Sequence, residues 1–286
     1  MAVIEMFCGA MGNGKSAIVN SIAFKFLRRG GVIGLNYPLV DDWAIKYASR
    51  ILPPYASDQQ ILDTAVEFYD RAFRFGSVQS CYDFADMVAQ RATGHQAKSR
   101  EEWGLQVFDE ASLYFNARDF QKIRNNRFIE YFINIRKLKI QAIFMTHNSE
   151  DIDKQIRGKV DLVTWCRNMQ KRKIFGFPLA IFYKKPCFKT QSIVNGEGTF
   201  KGMMEEKATY QLDLNTCDLY DSFKLFKDDA LEEEYGLEPL GLHPQTYFKT
   251  ASEILKEKYR TITKSAEIFD YHQTIFPNLL PCDCHA

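Results

Sequence analysis

The chain has 286 residues, of which 46% are hydrophobic, and a formal net charge of +1. That length accommodates one large α/β domain plus an appendage, and the composition excludes a disordered or fibrous class. Its 7 cysteines follow no regular spacing, which argues against a disulfide framework, although Cys282-Asp283-Cys284-His285 could offer half of a metal site at a frayed terminus.

Val3 to Phe7 reads as a short strand, and Ala17 to Phe26 as a helix with Ile18, Ile22 and Phe26 on one side. Between them, Gly9-Ala10-Met11-Gly12-Asn13-Gly14-Lys15-Ser16 matches the phosphate-loop pattern G-x-x-x-x-G-K-[ST]. A strand, a glycine loop and a helix N-terminus point several backbone N–H groups at one anion. Lys15 would pair with the β- and γ-phosphates of ATP, and the Ser16 hydroxyl would ligate Mg²⁺. The nucleotide-binding set is Gly9, Gly12, Asn13, Gly14, Lys15, Ser16 and Ala17.

Gly30-Gly31 ends the helical pattern and Val32 to Leu35 reads as the second strand, running into Asn36-Tyr37-Pro38. Residues 41–50, 59–75 and 79–93 look helical, so 41–103 reads as a helical insertion. Leu105 to Phe108 is an apolar-leaning strand ending in Asp109-Glu110, the form of a Walker-B segment. There Asp109 belongs to the Mg²⁺ shell and Glu110 polarises the attacking water.

A long helix is expected over Asp119–Lys137, with Phe128, Tyr131, Phe132 and Ile135 on one face. Ile140–Met145 then gives a buried strand ending in Thr146-His147-Asn148. A short helix, Asp151–Arg157, and a strand, Val160–Cys166, follow. Alternating strands and helices imply a mainly parallel sheet whose ligands bind at the carboxyl ends of the strands.

The charge is uneven. From Arg118 to Lys201 there are 18 Lys/Arg against 7 Asp/Glu, and from Gly202 to Ala286 there are 8 against 16. The basic half is a candidate polyanion surface; alternatively the two halves neutralise each other in the fold. Residues 171–190 read as a basic β-hairpin, 228–238 as an acidic loop and 245–269 as a helix, so 1–225 forms the main domain and 226–286 an extension. Glu5 interrupts the first apolar stretch and no run approaches the ~20 apolar residues of a membrane span, so the chain reads as soluble and intracellular.

In this order, the motifs resemble the Zot (zonula occludens toxin-like) family, a branch of the HerA/FtsK-type translocases of the additional-strand ATPases. The resemblance rests on Gly9–Ser16, Asn36-Tyr37-Pro38, and Val107 to Ala111 with Phe115 and Arg118. It also rests on Ile135-Arg136-Lys137, Thr146-His147, Ile152–Arg157 and Leu219-Tyr220-Asp221-Ser222-Phe223. It covers residues 1–225 and implies a RecA-like P-loop NTPase. It further implies a DNA-translocating ATPase of virus assembly, built as a homo-oligomeric ring, in all expectation a hexamer. Capsid or portal-vertex proteins and viral DNA would be its partners. Host cytoplasm or the virion packaging vertex would be its place.

His147 stands where the family has Gln, and would sense γ-phosphate loss. Arg136 would reach a neighbouring subunit's nucleotide, with Arg157 and Arg118 as alternatives. Family members that extrude filamentous phages carry a transmembrane segment, and this chain shows none. That favours a genome-packaging ATPase over a morphogenesis ATPase with a membrane partner. A nucleotide-gated structural protein with little turnover is the reading from another class.

Overall fold

A computed structural model describes residues 4–92, 103–116, 123–169, 173–178, 187–194, 204–220 and 236–247. Its backbone is one nine-stranded sheet ordered β10-β9-β6-β1-β5-β4-β2-β3-β11. The strands are β1 (Ile4–Cys8), β2 (Val32–Leu35), β3 (Ala72–Arg74), β4 (Gly104–Phe108), β5 (Ile140–Thr146), β6 (Leu162–Asn168), β9 (Cys187–Val194), β10 (Met204–Gln211) and β11 (Glu238–Pro239). A separate two-stranded hairpin pairs β7 (Lys173–Ile174) with β8 (Phe177–Pro178). From β6 to β3 every pairing is parallel, whereas β9, β10 and β11 are antiparallel additions at the two edges. The α/β class, the mainly parallel sheet and the strand–loop–helix at the N-terminus agree with the sequence reading.

Every residue of β4 is buried, as expected of a parallel strand covered on both faces. On one face lie α1 (Lys15–Arg28), α2 (Trp43–Ile51) and α3 (Asp58–Tyr69). Ile18, Val19, Ala23, Phe24 and Leu27 bury the inner stripe of α1 at helical spacing. A reciprocal capping box between Ser57 and Gln60 starts α3. The opposite face carries α4 (Val78–Ala92), α5 (Ala111–Tyr114), α6 (Ile123–Asn134) and α7 (Lys154–Arg157). An aromatic cluster fills it: Phe108 meets Phe75, Phe115, Phe132 and Phe144 with ring centroids at 4.8, 5.3, 5.8 and 5.5 Å. Their tilted and edge-on approaches are the favoured aromatic geometries.

Several elements differ from the sequence expectation. The stretch 59–75 is not one helix: α3 stops at Tyr69, and Ala72–Arg74 joins the sheet beside β2. The Ile33 amide donates to the Arg71 carbonyl at 2.8 Å, so pairing with β2 overrides the helical pattern. The insertion therefore contributes a strand to the sheet. β6 begins at Leu162 rather than Val160, because Asp161 turns its carboxylate back to accept from the Ile4 amide at 3.0 Å.

Among the described residues of 171–190, Lys173–Ile174 and Phe177–Pro178 form a small hairpin, while Cys187 onward is β9 of the main sheet. Strand β10 carries no strict apolar alternation, so periodicity gave no sign of it. Of the expected acidic loop, Glu238 lies in β11, and residues 228–235 fall outside the described residues. Pro244–Thr246 is a 3-10 turn and not the start of a regular α-helix. Residues 248–269 of the expected helix, Arg118, Lys171, Arg172, Lys184, Lys185 and the Cys-Asp-Cys-His tail also fall outside. Among the described residues, no helix is long and apolar enough to cross a membrane.

Candidate nucleotide-binding site

The loop leaves the carboxyl end of β1 and turns directly into α1. Two of its glycines are required by space as well as by backbone conformation. A Cβ on Gly9, at φ 150°, would stand 2.7 Å from the Cys166 carbonyl oxygen. One on Gly14, the left-handed N-cap of α1 at φ 85°, would enter the Phe188 ring. Two asparagines brace the loop against the neighbouring strand: Asn13 Nδ2 donates to the Cys166 carbonyl at 3.2 Å, and Asn168 Nδ2 donates to the Gly12 carbonyl at 3.0 Å.

Lys15 is only 7% exposed, and its Nζ donates to the Gly9 carbonyl at 2.6 Å. The same ammonium lies 3.4 Å from His147 Nδ1, at the carboxyl end of β5. His147 Nε2 in turn lies 3.1 Å from Glu110 Oε1. Both contacts fit one tautomer, with Nδ1 accepting from Lys15 and Nε2–H donating to Glu110. Three carboxyl strand ends, those of β1, β4 and β5, thus converge as the sequence reading required.

Glu110 adopts φ 46°, ψ 52°, left-handed for a residue with a side chain. Such a conformation costs of order 1–3 kcal/mol and clusters at functional sites. Beside it, Asp109 is 5% exposed and held by its backbone as well as by its carboxylate. Asn36 donates to the Asp109 carbonyl at 2.8 Å and accepts from the Asp109 amide at 2.7 Å. This pairing gives a physical role to the Asn36-Tyr37-Pro38 turn, whose function the sequence left open. Asp109 Oδ1 accepts from the Glu110 amide at 3.0 Å, and Oδ2 accepts from the Tyr220 hydroxyl at 3.0 Å. Burial pushes the Asp109 carboxyl above its ordinary range, against the opposing pull of the Tyr220 hydrogen bond. The Cys8 and Cys166 thiols flank the loop, and burial pushes each up to about 12, so they stay protonated at neutral pH.

The donor set suits a magnesium nucleotide. The glycines let the loop take the tight turn that brings its backbone N–H groups to an anion. Lys15 supplies charge, and Ser16 with Asp109 presents hard oxygens. Among the described residues, no group of three or more His, Cys, Asp or Glu could hold a metal, so a cation here would depend on nucleotide phosphates.

Arg136 does not join this site within its own chain. It is exposed in the turn after α6, before the amino end of β5, about 20 Å from His147 by the rise of that strand. Arg157 Nη1 donates to the Ser149 carbonyl at 3.3 Å, bracing the turn that follows His147.

Sequence reasoning missed the wall beside the loop. A cavity of about 660 Å³ opens there, bounded by Gly9, Ala10, His147 and the exposed face of β6, β9 and β10. On that face Arg167 stands opposite Lys189, and Gln191 lies between Trp165 and Lys207. The charge count of the basic half was the only available signal.

The family model for zonular occludens toxin (Zot) matches residues 69–224, which include Asp109, Glu110, His147 and Tyr220. The Gene 1 protein of Enterobacteria phage I2-2 is 24% identical over 179 residues, spanning 60% of this chain and 42% of the relative. That of Enterobacteria phage M13 is 29% identical over 79 residues, spanning 27% and 23%. The chain therefore spans less than half the length of these curated relatives. Among solved structures, the N-terminal domain of zonular occludens toxin from Neisseria meningitidis is 14% identical, with a TM-score of 0.43, over 77% of this chain and 100% of that one. The genome packaging NTPase of Sulfolobus turreted icosahedral virus 2, in complex with ATP-gammaS, is 11% identical with a TM-score of 0.39, over 74% and 98%. With its family model covering more than half of the sequence, the chain belongs to the Zot family.

Proposed function

We propose that this protein is an ATP-hydrolysing motor of virus assembly that moves viral DNA. The observation that carries the proposal is the convergence of Lys15, His147 and Glu110, linked at 3.4 and 3.1 Å, beside the buried carboxylate of Asp109. Lys15 and the backbone amides of residues 12–16 would hold the β- and γ-phosphates, and Ser16 and Asp109 would hold Mg²⁺. The metal would supply charge neutralisation at the phosphate oxygens. Glu110 orients the attacking water, and His147, between Lys15 and Glu110, transmits γ-phosphate loss to both. Arg136, exposed and away from its own chain's site, would serve a neighbouring subunit's nucleotide in a ring.

Packaging of a genome into a capsid is the reading favoured from the sequence. Extrusion morphogenesis is the second reading, supported by membership of the Zot family and by phage Gene 1 relatives. Both use the same site. The basic face of β6, β9 and β10 is a candidate DNA contact, and such binding would weaken steeply with salt.

Substituting Glu110→Gln separates a motor from a nucleotide-gated structural protein. A motor should keep ATP affinity and lose about 10²–10⁴-fold in phosphate release. If release is unaffected, Glu110 has no catalytic part. Stimulation of that release by DNA, with co-fractionation with procapsids, distinguishes packaging from extrusion.

A further inference from the structure

Tyr220 reaches the metal side of the site from the far end of the domain. Its hydroxyl donates to Asp109 Oδ2 at 3.0 Å. The phenol thereby holds one of the side chains that would ligate a divalent cation, the carboxylate at the end of β4. No motif assigns it that part.

The tyrosine is fixed by packing independent of its hydroxyl. Its ring meets Tyr37 edge-on at 5.0 Å and 82°. Tyr37 is fully buried and donates to Asn20 Oδ1 of α1 at 2.5 Å. The backbone is held too: Tyr220 bridges Leu39, and the Val40 amide donates to the Leu219 carbonyl at 3.0 Å. A phenylalanine would satisfy all of these contacts, so the hydroxyl is surplus to the packing and free to act on Asp109.

A neutral donor suits the task. A lysine or arginine at this position would neutralise the carboxylate and compete with a cation for it. A phenol orients the oxygen and leaves its charge available.

Building on the nucleotide-site reading, we propose that Tyr220 is a positioning residue for the metal: its hydroxyl keeps the Asp109 carboxylate oriented for one divalent cation bound with the nucleotide phosphates. The consequence is specific to the cation. Loss of the hydroxyl should raise the Mg²⁺ concentration needed for tight nucleotide binding and leave metal-free binding alone.

The test is a titration of a fluorescent ATP analogue into the full chain, in EDTA and across a Mg²⁺ series, for the wild type, Tyr220→Phe, Asp109→Asn, the double variant and Lys15→Ala. Tyr220→Phe should need about ten-fold more Mg²⁺, the size of a lost hydrogen bond to a charged group. Its affinity in EDTA should match the wild type. In the Asp109→Asn background it should have no further effect on the Mg²⁺ requirement, since the charged ligand it positions is gone. An unchanged Mg²⁺ requirement in Tyr220→Phe, or an equal loss with and without Mg²⁺, overturns the assignment. Lys15→Ala separates the two levels of failure: if it binds ATP like the wild type, the nucleotide site itself is wrong and the tyrosine role falls with it. If it loses ATP while Tyr220→Phe behaves as wild type, only the tyrosine role fails.

Discussion

At the centre of the sheet, β1, β4 and β5 are buried along almost their whole length, and apart from Glu5 in β1 charge appears only where the strands end. At the β6–β9–β10 edge, exposed residues run along the strands themselves, and Arg167 of β6 faces Lys189 of β9. Like charges opposite one another weaken a sheet. The centre therefore has its residues chosen by packing and can hold Asp109, Glu110 and His147 rigidly. The edge tolerates charge that does nothing for the fold, which is where a ligand-facing surface can be built.

The largest expected difference between the two regions is in stability. Phe108→Ala removes a fully buried ring from the aromatic cluster and should cost about 3–5 kcal/mol, measured by urea denaturation. A cost below about 1 kcal/mol would mean that the cluster is not the rigid support described here.

Asp109→Asn sharpens the contrast within the centre. The Asp109 carboxyl is raised by burial, so the folded state holds its proton more tightly than the unfolded chain does. Stability is therefore lost as pH rises through the interval between those two values. Removing the charge should raise the nucleotide-free melting temperature at pH 7, by about 2–4 °C for each kcal/mol relieved, with less gain in acid. The same variant should lose the extra thermal stabilisation that Mg²⁺ adds to ATP. A lower melting temperature at pH 7 would contradict the burial argument.

At the edge, Lys189→Gln relieves the repulsion with Arg167. It should stabilise by about 0.2–1 kcal/mol at low ionic strength, and the gain should fade in high salt. A loss of stability would show that the lysine is paired in a way that offsets its neighbour.

Much of the centre was legible because its constraints are local. The eight residues Gly9–Ser16 and the pair Asp109-Glu110 announce themselves by type and spacing, and β4 and β5 by apolar runs between breakers. What lay outside that reach depends on distant partners. Ala72–Arg74 is too short to carry a period and becomes a strand only because β2 offers it a ladder. Met204–Gln211 pairs through its backbone with β9, and its exposed side chains leave no apolar signature. Tyr220 was visible within a family-like element, yet its meeting with Asp109 spans 111 positions, a distance that no local pattern crosses. Arg136 shows the opposite limit: its place before β5 was readable, and its position away from its own chain's site emerged only from the direction of that strand.

The claim on which the rest depends is that a nucleotide seats in the loop around Lys15. Equilibrium binding of a fluorescent ATP analogue with Mg²⁺, compared between the full chain and Lys15→Ala, addresses it most directly. The expected result is saturable binding by the wild type and a loss on the order of 100-fold in the variant, the scale of a charge-assisted contact to phosphate. Equal affinity in the two proteins would contradict the account.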